Sequence, residues 1–215
     1  MIEPFVGRPT RALALALLLV QAGGTFGQEE CGPLRTGFGP WDYTDPRNER
    51  QLINVNGNHF NSNVRNLIRG QTAQIGGDLD YTLRAFPNHH PALDAMLRLS
   101  AKERSERPRG TTFTVACYFD RAVRFKPDDP TVRLLYAKFL AGKKRHADAL
   151  VHLREADQLD PDDANIKYNM GLALFELKRY DEAADQAQQA YKLGFPLQAL
   201  RKKLESVGKW QPEPR

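Results

Sequence analysis

The sequence predicts an all-α fold: a short solenoid of about three helix pairs with a C-terminal capping helix and an irregular N-terminal arm. Three observations predict it. Lys126-Pro127-Asp128-Asp129 is echoed by Asp160-Pro161-Asp162-Asp163, 34 residues later. Small residues keep the same beat, with Ala137, Ala149 and Ala156 matching Gly171, Ala183 and Ala190, and Leu140 matching Leu174 while Leu153 aligns with Ala187. Apolar residues elsewhere in the second half recur at helical spacings.

The elements follow in chain order. Arg8 and Arg11 precede a nine-residue apolar run, Ala12 to Val20, and small residues follow at Ala22, Gly23, Gly24, Thr25 and Gly27. This is the layout of a secretory signal at 1–27, cleaved after Gly27 or alternatively after Gly24. The run falls well short of the roughly 20 apolar residues that a membrane-spanning helix needs. No later run is apolar enough to span, so the mature chain is expected to carry no membrane span.

Residues 28–78 do not repeat and are rich in Gly, Asn, Pro and Arg; they are expected to form the irregular arm. Asn63 to Arg69 reads as a short helix stopped by Gly70. Trp41, Tyr43, Leu52, Ile53, Val55 and Phe60 are more apolar anchors than a disordered chain carries, so the arm is expected to lie along the first helices.

A repeat domain is expected over 79–209. Leu79 to Phe86 resembles the tail of a half repeat. A degenerate repeat at 88–127 begins with a helix from Pro91 to about Glu106, striped by Leu93, Met96, Leu97 and Leu99. Its second helix runs from Thr114 to Phe125, with Phe119 and Ala122 one period before Leu153 and Ala156. Pro87 and Pro127 stand 40 residues apart against 34 for Pro127 and Pro161, so six residues are inserted in the link around Arg107–Thr111.

Full repeats follow at 130–163 and 164–197. Asp129 and Asp163 are placed as helix N-caps, and Pro130 falls where a missing N–H costs nothing. Asp181 is placed to cap the next helix and Gly194 to end it in a left-handed conformation. Only small side chains at Ala137, Ala149, Gly171 and Ala183 let paired helices cross closely. Leu197 to Val207 reads as the capping helix, apolar at Leu197, Leu200, Leu204 and Val207. A short tail, 210–215, ends the chain.

The residues of 130–197 resemble the tetratricopeptide repeat, and Phe175-Glu176-Leu177-Lys178-Arg179-Tyr180-Asp181-Glu182-Ala183 is close to that family's stretch between its two helices. One departure is Gly194-Phe195-Pro196, which shifts the closing proline by one. The resemblance implies a superhelix whose first helices line a concave face that holds a protein or peptide partner. The groove residues it implies are Leu134, Lys138 and Ala141 from one repeat, and Asn165, Tyr168, Asn169, Leu172 and Phe175 from the next. Asn169 matches an asparagine with which some members grip a peptide's terminal carboxylate, with Lys138 and Lys202 as incomplete partners; alternatively it bonds a neighbouring backbone or side chain. Cys31-Gly32-Pro33-Leu34 and the stretch Gly77-Asp78-Leu79-Asp80-Tyr81 through Asn88-His89 are similar to those of secreted bacterial repeat proteins, which implies a periplasmic location.

Charge excludes one class of partner. The chain carries 31 basic and 26 acidic residues, a formal +5 with both signs interspersed. A nucleic-acid binder gathers its cations on one face, whereas Lys143-Lys144-Arg145 and Arg201-Lys202-Lys203 read as short solvated runs. Cys31 and Cys117 are an even pair, which in an oxidising compartment reads as a disulfide pinning the arm to the first repeat. The loop it would close, about 87 residues, gives an upper limit of roughly 4–5 kcal/mol in the chain-entropy estimate. Two unrelated thiols are the alternative. Lipid attachment at Cys31 is disfavoured by Gln28-Glu29-Glu30 just before it.

The one stretch with the groups for metal or acid–base chemistry runs from Gly76 to His90, with His59 nearby. A metal-dependent enzyme built on His59, Asp80, His89 and His90 is the alternative to a binding module, and a self-assembling structural protein is a third reading. Adjacent His89 and His90 point apart in either regular structure, and helical i,i+4 spacing of ligands is missing. Asp78 is better placed to cap a helix starting near Leu79, Asn88 or His89 to open the next, and Gly76-Gly77 to form a flexible junction. The sequence shows no phosphate loop and no nucleophile motif. It predicts a binding or scaffolding protein without catalysis or cofactor.

Overall fold

The computed structural model describes residues 31–35 and 37–210. The expected signal segment at 1–27 and the tail beyond Trp210 lie outside the described residues. Among the described residues the structure has helices and no strand: α1 (Glu49–His59), α2 (Ser62–Arg65), α3 (Ile75–Ala85), α4 (His90–Glu103), α5 (Val115–Phe125), α6 (Pro130–Gly142), α7 (His146–Leu159), α8 (Ala164–Glu176), α9 (Tyr180–Lys192) and α10 (Ala199–Ser206). A 3₁₀ turn, Pro46–Asn48, leads into α1. None of these helices is long and apolar enough to cross a membrane.

The repeat region is two helix hairpins, α6–α7 and α8–α9, stacked through α7 and α8. Small residues sit where the helices cross: Ala137, Ala149, Ala156, Ala183, Ala187 and Ala190 are all buried. Gly171 is tightest, since a Cβ there would lie 3.2 Å from the Ala183 carbonyl and 2.6 Å from a methyl of Leu200 on α10. Leu140, Leu153 and Leu174 fill the space beside these crossings.

The turns repeat as faithfully as the helices. Lys144 and Lys178 both take the left-handed conformation (φ 60°), and the following N–H groups of Arg145 and Arg179 bond back to Leu140 and Leu174 at 2.9 Å. Arg104 is the same left-handed turn at the end of α4, 40 positions before Lys144. The insertion therefore falls after Arg104, in the link that precedes α5.

Capping is satisfied largely where the sequence placed it. Asp129 accepts from the Val132 N–H, and Asp163 from Asn165 and Ile166. His89 opens α4, its Nδ1 accepting from the Ala92 N–H at 3.1 Å. Gly194 is left-handed at φ 88°.

Several expectations are corrected. Asp181 does not cap α9, which starts one residue earlier behind Arg179; Asp181 sits in the first turn and pairs with Lys209 at 2.8 Å. Asp78 does not cap a helix at Leu79 either. Its helix begins at Ile75, and its buried carboxylate reaches out to the N–H groups of Gln71 and Thr72, the Thr72 hydroxyl and His59.

Gly76-Gly77 is not a junction but the first turn of α3. A Cβ on Gly76 would fall 2.2 Å from the Arg109 carbonyl, so glycine is what lets the inserted link cross this turn. The arm is accordingly not irregular throughout: it carries α1 and α2, and its expected end at 78 lies inside α3. In α10, Leu200 and Leu204 are buried, but Leu197 and Val207 lie outside the helix and are exposed.

The arm is fastened at both ends. Near its start, a disulfide joins Cys31 to Cys117 on α5. One turn further along α5, the buried Arg121 guanidinium donates to the carbonyls of Cys31 (3.0 Å), Pro33 (2.6 Å) and Leu34 (3.2 Å), and Arg124 donates to Gly32 (3.2 Å). Further along, Asn88 accepts from the Tyr43 N–H and donates to Asp42 and Asp129. Trp41 and Tyr43 cover Phe86 and His89.

Candidate partner groove

The first helices of the two full repeats, α6 and α8, face one another across α7. Alanine on α6 and leucine on α8 keep that surface shallow and apolar, and a cleft of about 200 Å³ opens there. Its walls are Ala137 and Ala141 from α6 and Leu172 and Ala173 from α8, and Leu153 of α7 lines it too. Three polar groups complete it: Asn169, His146 and Glu176.

The polar end has its own electrostatics. Glu176 accepts from the Lys203 ammonium of α10 at 2.7 Å, and that bond holds its carboxyl below the usual range. His146 Nδ1 is buried without a hydrogen-bond partner among the described residues. Asn169 spends one amide hydrogen on the Asn165 carbonyl of its own helix, at 2.7 Å. The arrangement can seat an apolar side chain against Ala141 and Leu172 and offer a polar contact at His146 or Asn169. Nothing in it is paired as a nucleophile with a base.

The predicted groove residues separate into three groups. Ala141, Asn169 and Leu172 line the cleft together. Leu134, half-buried, and Lys138 and Asn165, both exposed, lie on α6 and α8 outside its lining. Tyr168 is not a groove residue: it is 5 % exposed, with Phe195 stacked on its ring at 3.9 Å. Phe175 is turned toward Tyr180 and lies under the Lys203 ammonium, 5.1 Å from its ring centre. Both are covered because the chain after α9 folds back over α8. Sequence reasoning missed His146 and Glu176. Glu176 lies one residue beyond Phe175, so an extended α8 face would have found it; His146 sits on the second helix of its pair, which the groove assignment did not consider.

The alternative metal cluster is not assembled. His59 donates to Asp78 at 3.2 Å, whereas Asp80 takes the Thr112 N–H (3.0 Å), the Tyr118 hydroxyl and Arg84. His89 is bonded to Ala92 and Asn56, and His90 donates to Asp129 at 2.8 Å. Among the described residues no group of three or more His, Cys, Asp or Glu is placed to hold a metal ion.

No curated protein matches the chain. A family model does: residues 140–192, from the end of α6 through α9, match the model described as tetratricopeptide repeat. The left-handed turns at Lys144 and Lys178 and the helices α7 to α9 fall within that stretch, and the matched residues, which hold all of the cleft's lining but Ala137, are similar to tetratricopeptide repeat.

Proposed function

We propose that this protein is a non-catalytic binding module that holds a protein or peptide partner in the cleft between α6 and α8, in the periplasm of a bacterium. Tetratricopeptide repeats suggest a scaffold for protein–protein interaction. The observation that carries the reading is the cleft itself: apolar walls at Ala141 and Leu172 beside polar groups at Asn169, His146 and Glu176. Recognition sites combine apolar surface with a few placed polar groups in this way. The Cys31–Cys117 bond supports an oxidising compartment, in keeping with the signal-like first residues.

The test is affinity recovery from a periplasmic extract with the mature chain, the Leu172→Glu variant, and Val151→Glu on the exposed face of α7 as control. A partner retained by the wild type and by Val151→Glu, but reduced at least about tenfold by Leu172→Glu, is the expected result; a tenfold loss is about 1.4 kcal/mol, less than a buried charge costs an apolar contact. Equal recovery by all three would remove the cleft from the account.

A further inference from the structure

A second cavity, of about 480 Å³, opens where the arm, α1 and α2 meet the start of α4. Tyr43 comes from the arm before α1, Asn56 from α1, and Ser62, Arg65 and Asn66 from α2 and its end. Phe60 and Pro91 add apolar wall. The volume lies within the range of small-molecule sites, roughly 300–1,000 Å³.

The chemistry of the lining is one-sided. Tyr43, Asn56, Ser62, Arg65 and Asn66 all bring N–H or O–H donors, and no carboxylate lines the cavity. Among the described residues the Tyr43 hydroxyl, the Asn56 amide nitrogen, the Ser62 hydroxyl, the Asn66 amide and the Arg65 guanidinium make no hydrogen bond. Arg65 is a permanent cation without an acidic partner among those residues. Asp42, beside Tyr43 in sequence, is engaged with Thr44 and Asn88, and Asp129 with His90 and Val132.

His89 explains why Asn56 presents a donor. Its Nδ1 accepts from Ala92, so its proton sits on Nε2, which donates to Asn56 Oδ1 at 3.0 Å. With the carbonyl oxygen thus occupied, the Asn56 NH₂ group is left for the cavity. Burial holds the His89 pKa down at about 3, so the ring stays neutral and this orientation persists across physiological pH. A buried histidine fixing an amide whose donor faces an open, cationic, acid-free cavity is the arrangement an oxyanion requires.

We propose that this cavity binds a carboxylate or phosphate group carried on a small apolar or aromatic body. Arg65 supplies the charge, Asn56 the oriented donor, and Tyr43, Ser62 and Asn66 the remaining hydrogen bonds, while Phe60 and Pro91 contact the body. The site is separate from the repeat cleft, and its failure would leave the cleft reading intact.

Calorimetric titration of the oxidised mature chain with benzoate, phenyl phosphate and the neutral isostere benzamide tests it, with thermal melts to check folding. Two variants accompany the wild type. Asn56→Asp keeps an oxygen for His89 but replaces the donor with a charge; Arg65→Gln removes the cation from an exposed position. At least one anion should saturate, benzamide should not, and each variant should weaken the anion by about tenfold or more, as loss of a charged hydrogen bond does. Which anion binds more tightly distinguishes a carboxylate ligand from a phosphate one. The proposal is overturned if neither anion saturates, if benzamide binds as tightly, or if both variants, folded, retain wild-type affinity.

Discussion

Asp129 and Asp163 are the same cap one period apart, yet they carry different loads. Asp163 serves only the N–H groups at the start of α8, at 2.6 and 3.3 Å. Asp129 serves α6 and also takes His90 Nε2 and the Asn88 amide. Asp163→Ala should cost about 1 kcal/mol, an ordinary cap loss. Asp129→Ala should cost about 2–3 kcal/mol, because buried Asn88 and half-buried His90 lose a partner as well. Urea unfolding of the two variants measures the difference, and equal losses would contradict it. His89 sets a pH dependence at the same scale. Unfolded, it takes up a proton near pH 6.5; folded, burial delays this to about pH 3. Its contribution is therefore fully present above pH 6.5 and declines as pH falls toward 3, by about 1.4 kcal/mol per unit at full slope. Between pH 6.5 and 5 the carboxylates scarcely titrate, so stability should fall across that window in the wild type and fall less in His89→Gln. Identical slopes would contradict the neutral, buried ring.

At the scale of elements, the arm is clamped to α5 by a covalent bond and by the guanidinium groups of Arg121 and Arg124, which act at neighbouring points. Replacing Cys31 and Cys117 with serine should destabilise by no more than roughly 4–5 kcal/mol, the upper limit from chain entropy. Amide exchange should rise across residues 32–45 while α6 to α9 keep their protection, since stacked repeats contact mainly their neighbours. Arg121→Met should give the same pattern even with the disulfide intact, because three carbonyls lose their donor. Arm exchange unchanged in both variants would show that the clamp is not what holds the arm. Gly171 tests the close crossing. In an exposed helix Gly→Ala gains up to about 1 kcal/mol. Here the new Cβ meets the Ala183 carbonyl and Leu200, and overpacking costs about 1–3 kcal/mol. Gly171→Ala should therefore destabilise, with α10 loosened first; a stabilised variant in a thermal melt would contradict the packing.

The molecule as a whole divides into a half that was legible in its sequence and a half that was not. The repeats were legible because close helix crossings demand small residues, and Ala137, Gly171, Ala149 and Ala183 announce them at a fixed interval. In the first half the helix from Pro91 was legible, but α1 and the start of α3 are hidden for the opposite reason. α1 buries only Val55 fully and leaves Ile53 exposed, so its apolar pattern is faint. α3 opens on Gly76-Gly77, a helix-breaking pair retained so that the inserted link can cross. In the cleft, Ala141, Asn169 and Leu172 could be read from the repeat register. Tyr168 could not, because its cover is Phe195, in the one place where the second repeat departs from the pattern of the first.

The central claim is that the cleft between α6 and α8 is where a partner is held. A photo-crosslinking amino acid placed at Leu172, with the same group at Val151 as control, tests it in intact cells. The account predicts a discrete crosslinked protein from position 172 and none from position 151, abolished when His146 and Glu176 at the polar end are both changed to alanine. Crosslinks of equal yield from both positions, or from position 151 alone, would contradict it.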